Sequence, residues 1–230
     1  WHTSDGRLFE RTLATGAVIR NEIAPQRSGW EPTGRVGFAL KARPALNLRG
    51  AAYLGWRLPT LNELYRPFRV GADATAANPA LKPERMKGAE LGADWQLAEN
   101  ARISATVFTN QLDGAIANVS IGTGPGTFPG VGFVAAGGVY RQRQNLDAIT
   151  ARGLEIDGNY RVGNWHMRAS YAYTRARVQG SGPALPLDGL RPAQVPNHMA
   201  SATLGWKGVS VTGRYVSSQF EDDGNVRRLK

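Results

Sequence analysis

A period of two, not of 3.6, runs through most of this 230-residue chain and commits it to strands. From Gly153 to Val162, Leu154, Ile156, Tyr160 and Val162 fall on one side, and Glu155, Asp157, Asn159 and Arg161 on the other. Wound as a helix, this segment would spread its charges around the whole circumference; as a strand it has one apolar and one polar face. The split recurs. Val36, Phe38 and Leu40 oppose Arg35 and Lys41; Leu48, Leu54 and Trp56 oppose Asn47 and Arg49. Leu91, Ala93 and Trp95 oppose Glu90, Asp94 and Gln96, and Ile103, Ala105 and Val107 oppose Arg102, Ser104 and Thr106. Later, Ala200, Ala202, Leu204 and Trp206 alternate with Ser201 and Thr203, and Val209, Val211 and Tyr215 with Ser210, Thr212 and Arg214. His166 to Arg175 is more mixed, with Met167, Ala169, Tyr171 and Tyr173 on its apolar side. About eight or nine strands result.

Alternation alone also suits a soluble sandwich, so the connections must separate the cases. They alternate in length. Short ones fall at about 41–47, 96–101, 163–164 and 207–208, and long ones at about 57–85, 120–148 and 179–197. In an up-and-down sheet every second connection lies at the same end, so all the long ones emerge on one side. Outer-membrane barrels have that asymmetry, with short periplasmic turns and long extracellular loops. A run of about 18 apolar residues, as a spanning helix needs, is missing, but a barrel strand crosses with about 9–11 residues and buries only alternate side chains in lipid. Residues 101–119 read as one strand that crosses the bilayer and continues above it. Trp56, Trp95, Trp165 and Trp206 lie near strand ends, where an aromatic girdle would sit. The expected fold is therefore all-β: an antiparallel up-and-down transmembrane β-barrel, present as a partial wall.

The net charge of +10 raises nucleic-acid binding, but the basic residues are mostly arginines scattered over strands and loops, so no nucleic-acid role is expected. With no cysteine, thiol chemistry and disulfides are excluded. The chain starts at Trp1 without an initiator Met or leader and ends at Lys230 in a charged stretch, so both ends are read as cuts in a longer protein.

One stretch is more specific. From Gly55 the chain reads Gly-Trp-Arg-Leu-Pro-Thr-Leu-Asn-Glu-Leu-Tyr, then Asn78-Pro79-Ala80-Leu81-Lys82-Pro83-Glu84-Arg85, then Glu90-Leu91-Gly92. Pro59 would end or bulge a strand near the rim, and Asn78-Pro79 and Lys82-Pro83 favour a turn before re-entry. These segments resemble the paired barrel motifs of TonB-dependent receptors. The likeness is carried by Trp56, Arg57, Pro59, Thr60, Glu63, Leu64 and Tyr65, and by Asn78, Pro79, Leu81, Lys82, Pro83 and Glu84. Val107-Phe108 through Ile116, Ala151-Arg152-Gly153-Leu154-Glu155 and Pro196-Asn197-His198 are similar to the family's outgoing strand, return strand and re-entry. The resemblance covers most of the chain. It implies a barrel of about 22 strands around an N-terminal plug, with residues 1–230 a stretch of wall that lacks the plug and the first and last strands.

What the resemblance implies for function is uptake of a scarce metal chelate across the bacterial outer membrane, a ferric siderophore before haem or cobalamin. The TonB coupling protein would supply the energy through the missing N-terminal part, with membrane lipid and lipopolysaccharide as neighbours. No enzyme activity, resident cofactor or metal site is expected. His2, His166 and His198 are far apart in sequence, Asp222-Asp223 is a lone acidic pair, and Gly122 to Gly132 follows no βα unit and reads as a flexible loop, not a phosphate loop. Some haem receptors resemble this chain but carry an iron-binding histidine between the two Pro motifs, and none lies between Pro59 and Asn78. For an anionic chelate the natural contacts are Tyr65, Arg66, Phe68 and Arg69 in the first long loop and Phe128, Phe133, Tyr140, Arg141 and Arg143 in the second. The motif residues are expected to shape loops. A passive channel or adhesion barrel is the alternative, and a soluble sandwich binding carbohydrate a remoter one.

Overall fold

The computed structural model describes residues 1–3, 7–23 and 26–229. In chain order its strands are β1 (His2–Thr3), β2 (Arg7–Arg11), β3 (Val18–Ile23), β4 (Arg27–Ser28), β5 (Gly34–Arg43), β6 (Leu46–Arg57), β7 (Phe68–Val70), β8 (Asp73–Ala76), β9 (Glu84–Ala98) and β10 (Ala101–Asp113). Then come β11 (Ile116–Thr123), β12 (Gly126–Phe128), β13 (Gly132–Val134), β14 (Val139–Asn145), β15 (Ala148–Val162), β16 (Trp165–Gln179), β17 (His198–Trp206), β18 (Val209–Val216), β19 (Gln219–Phe220) and β20 (Arg228–Leu229). A short helix, α1 (Leu61–Tyr65), follows β6, and a 3-10 helix (Gly182–Leu187) follows β16. The chain forms two units: residues 34–55, 84–115 and 146–230, and residues 1–33, 56–83 and 116–145.

The first unit is a wall of eight strands in the order β5-β6-β9-β10-β15-β16-β17-β18, ending in a strand with one partner at each side. Every pairing for which a register is resolved is antiparallel, and it holds the apolar residues in line. Ala105 stands opposite Ala93 and Ile156, Val107 opposite Leu91 and Leu154, and Tyr171 opposite Ile156 and Ala200. Met167 and Val211 flank Leu204. A slip of one residue would exchange the two faces. On the apolar face Leu91 is 59 % exposed, Val107 51 % and Val211 73 %. A contiguous patch of that kind is not stable in water and needs hydrocarbon as its solvent.

The other face is knit by polar contacts. Asp94 takes ion pairs from Arg102 at 3.1 Å and Arg49 at 3.4 Å, and a hydrogen bond from Ser104 at 2.6 Å. Arg49 also donates to Thr106 Oγ1 at 2.6 Å, and Tyr53 to Asn110 at 2.7 Å. Gly92 makes room for this: a Cβ there would lie 2.7 Å from the Arg49 guanidinium carbon.

The two-residue turns 44–45, 99–100, 163–164 and 207–208 lie at one end of the wall, and the chain leaves the other end for residues 58–83, 114–147 and 180–197. One strand differs from expectation. The segment 101–119 does not run straight on; β10 stops at Asp113, Gly114 takes φ +67°, and the chain continues as β11 in another sheet. Glycine alone adopts that backbone freely, so it redirects the strand's hydrogen bonds away from the wall. Trp95, Trp165 and Trp206 lie toward the short-turn end of the apolar face, Trp165 and Trp206 as a cross-strand pair with ring centroids 6.1 Å apart. Trp56 lies at the opposite end of β6.

The second unit carries a four-stranded sheet, β11-β14-β8-β7, in which β8 runs parallel to β14 with Tyr140 beside Ala74 and Gln142 beside Ala76. Its core is Ala74, Ala76, Val134 and Tyr140, with Phe128 and Val131 against it. The stretch Gly122 to Gly132, expected as a flexible loop, instead contains β12, which pairs with β13 through Thr127 and Phe133.

The wall makes a depth-dependent prediction. Ala169 lies midway between Trp165 and Tyr173 on the apolar face, and Val162 opposite Trp165 at the turn end. In the full-length barrel refolded in vesicles, Ala169→Arg lowers unfolding free energy by roughly 2–4 kcal/mol and Val162→Arg by about 0–1 kcal/mol. Equal costs in a denaturant titration contradict the lipid-facing assignment.

Candidate functional site

The motif that opens the first long connection folds into a locked turn. Leu58 and Pro59 lie between β6 and α1, and Thr60 caps the helix: its Oγ1 accepts from Glu63 N at 3.2 Å, while Glu63 Oε2 accepts from Thr60 N at 2.6 Å. This reciprocal box satisfies backbone donors that a helix start leaves open. Arg57 grips the same carboxylate with both nitrogens, at 3.0 and 3.2 Å. Burial would raise the Glu63 carboxyl pKa, but the bonds from Arg57 and Thr60 and the Arg57 charge outweigh it, holding the group below the usual carboxylate range. Leu64 is buried.

Arg143 on β14 anchors that turn. It is buried, and its guanidinium donates to the carbonyl of Asn62 and to that of Arg66 at 2.8 Å, while lying over the Phe68 ring at 5.0 Å. Asn78 Nδ2 in turn donates to the Arg143 carbonyl at 2.8 Å, and Asn78 N to the Glu63 carbonyl at 3.1 Å. The second half of the motif is held likewise. Asn145 exchanges bonds with the Lys82 backbone at 2.9 and 3.1 Å, Leu81 and Pro83 are buried, and Asn78 Oδ1 accepts from Ala80 N at 3.0 Å. Pro79 offers its carbonyl to Arg27 at 3.0 Å. These motif residues build the connection.

The nine side chains expected to meet a ligand all belong to this unit, or to the segment that leads into it, but they divide sharply. Tyr140 is buried, its hydroxyl donating to the Pro129 carbonyl at 3.0 Å and its ring stacked on Phe128 at 4.5 Å. Arg141 pairs with Asp73 at 2.7 Å. Arg69 donates to the carbonyls of Val131 and Phe133, the latter at 2.7 Å. Tyr140 and Arg143, expected as ligand contacts, are buried with their polar groups satisfied inside the unit. The remaining outward surface is Arg66, one side of Phe68, Phe133 at 61 % exposure, and half-buried Tyr65.

Sequence reading missed Asp73, which ties β8 to β14 by accepting from Val139 N at 2.9 Å as well as pairing with Arg141. It also missed α1, although Thr60 and Glu63 at capping-box spacing announce it. His198 Nδ1 lies 2.9 Å from the Tyr171 hydroxyl, and Asp222 accepts from Val226 and Arg227 backbone N–H groups. Among the described residues no group of three or more His, Asp or Glu side chains is arranged to hold a metal ion.

The family model described as TonB dependent receptor-like, beta-barrel matches residues 5–229. Among solved structures, the copper transporter OprC is similar at a TM-score of 0.67 and 20 % identity, over 93 % of this chain and 30 % of that one. The ferric yersiniabactin uptake receptor FyuA from Yersinia pestis is similar at 0.61 and 14 %, over 96 % and 31 %. The ferric enterobactin receptor PfeA from Pseudomonas aeruginosa, as an R480A mutant with enterobactin bound, is similar at 0.60 and 16 %, over 86 % and 31 %. The chain thus spans under a third of these structures' length. No curated protein sequence matches it.

Two outcomes follow from the locked turn. Arg143→Met keeps bulk but removes the donors to Asn62 and Arg66, so amide protection across 61–65 falls on the order of tenfold or more, with wall amides unchanged; unchanged exchange rates in 61–65 refute the anchor. Glu63 has a depressed folded pKa, so its stabilisation is present above the ordinary carboxyl value of about 4.3 and lost as pH falls through the folded value. Amides of α1 therefore lose protection on acidification below about pH 4, and Glu63→Gln removes that pH dependence.

Proposed function

Because this chain belongs to the TonB-dependent receptor β-barrel family, whose members sit in the outer membrane of Gram-negative bacteria, we propose that the whole protein draws a metal chelate, a ferric siderophore foremost, through that membrane with energy delivered by TonB. The observation that carries this reading is the family match along residues 5–229, joined to a wall two of whose long connections form an ordered unit with residues 1–33. Chelate receptors among the similar structures, for yersiniabactin and enterobactin, favour an iron cargo, and OprC keeps copper in view. A soluble sandwich is set aside by the family.

In this reading no bond of the cargo is made or broken. Binding falls to side chains not already engaged: Arg66 offers a charged fork, and Phe68, Phe133 and Tyr65 offer flat apolar faces suited to the aromatic groups of an anionic chelate. Arg143 and Tyr140 act beneath them as support. The lack of histidine between Pro59 and Asn78 keeps haem behind siderophores.

Uptake of radioiron from a panel of siderophores, in iron-limited cells with and without the complete gene and with and without TonB, tests this directly. One chelate is expected to lose active uptake in both deletions; undiminished uptake of every chelate ends the siderophore reading. Uptake that survives loss of TonB points to the passive barrel. For that chelate, Arg66→Ala with Phe133→Ala raises the half-saturating concentration on the order of tenfold at equal surface expression.

A further inference from the structure

The apolar face of the wall does not stay apolar to its end. Above the row that lines up Val107, Leu154 and Tyr173, the same face continues through Thr109, Arg152 and Arg175, then through Lys87, Gln111, Thr150 and Arg177. Arg152 and Arg175 stand directly opposite one another, both exposed. Among the described residues neither guanidinium has a hydrogen-bond or ion-pair partner. Asp113, the acid on this face, is engaged by Lys87 at 3.2 Å and by Gln111. Like charges directly opposite destabilise a strand pair, and an anion between them removes the penalty.

The strip has a defined height. Trp165 and Tyr173 are eight positions apart on β16, about 27 Å of strand at roughly 3.4 Å per residue and, at a tilt of about 40°, roughly 21 Å of height, most of the apolar band of about 25 Å that faces lipid. Arg175 lies two residues further on, roughly 5 Å higher, at the level of headgroups. It lies at the end from which the long connections leave, which in such barrels is the extracellular end. At the short-turn end the same face shows Trp95, Tyr160, Trp165, Met167, Trp206 and Val209, none of them charged. The cations near this face at that end are Lys207 in a turn, over the Trp206 ring at 4.9 Å, and Arg43, in register with Leu46, whereas the directly opposed pair of arginines lies at the long-connection end.

We propose that Arg152, Arg175, Arg177 and Lys87 form a docking strip for the phosphate groups of lipopolysaccharide in the outer leaflet. Arginine's planar fork matches phosphate oxygens bidentately, and the threonine and glutamine side chains between the cations can bond the sugar hydroxyls. The strip stands whatever the cargo is, since it lies on the lipid side.

The test uses the full-length receptor, purified as wild type, as the Arg152→Gln/Arg175→Gln double variant, and as Arg168→Gln, which removes one charge from the polar face. Native mass spectrometry measures retention of phosphorylated and of enzymatically dephosphorylated lipopolysaccharide. The double variant is expected to bind the phosphorylated form about tenfold or more weakly and the dephosphorylated form unchanged, with Arg168→Gln like wild type. In detergent without lipopolysaccharide the double variant melts no lower than wild type, because it has lost only repulsion; this separates a folding defect from a binding one, and Arg175→Gln alone serves if the double variant does not fold. Equal binding of the phosphorylated lipid by wild type and variant overturns the proposal. So does a wild type that does not distinguish the two lipids, or one stabilised equally by inorganic phosphate alone.

Discussion

The structure depends on a single constraint: every backbone polar group inside hydrocarbon must find its partner within the protein. Antiparallel ladders meet it along β9, β10, β15 and β16, which pair over 13 to 15 residues with few breaks. Once the ladders exist, the pleat delivers alternate side chains to lipid and to the polar face without further choice. The register then decides whether each row is uniform. Within the apolar band it is, since apolar residues face apolar residues across six successive strands, from Leu91 and Val107 through Leu154 and Tyr173 on one row to Leu204 and Val211 on another.

What the wall cannot do is hold its long connections, and a different chemistry takes over there. Capping, carbonyl-directed arginines and asparagines that imitate backbone replace the ladder. Arg143 satisfies the carbonyls of Asn62 and Arg66, Asn145 pairs with the Lys82 backbone as a strand residue would, and Asp73 accepts both a backbone N–H and Arg141. Each interaction joins residues more than sixty positions apart, so the ordering of one connection requires the other. Exposed Phe68 and Phe133 keep their orientation because Arg143 and Arg69 hold the backbone beneath them.

Much of the wall was legible because a period of two is a local signal. Strand identity, face and the alternation of short and long connections come from residues a few positions apart, as at Leu154 to Val162. The break at Gly114 was hidden, since the alternation on either side of it continues and only the φ of one glycine changes. The four-stranded sheet was hidden for a stronger reason: β8 joins β14 in parallel across more than sixty residues, and no local pattern encodes such a pairing. At the site, residue type suggested ligand contacts but could not report burial. Arg143 and Arg66 look alike in sequence, and only the packing shows that one is a strut and the other faces outward.

Arginine thus serves three environments here, and the partner available in each determines its role. On the polar face Arg49 and Arg102 meet Asp94 and are neutralised within the wall. In the connections Arg143 and Arg69 meet carbonyl oxygens and become structural. On the lipid side Arg152 and Arg175 stand opposite one another in register, with no ion pair among the described residues. Like charges held directly opposite one another destabilise a strand pair. The relief must come from an anion outside the protein, and the membrane leaflet at that height is built from molecules that carry one.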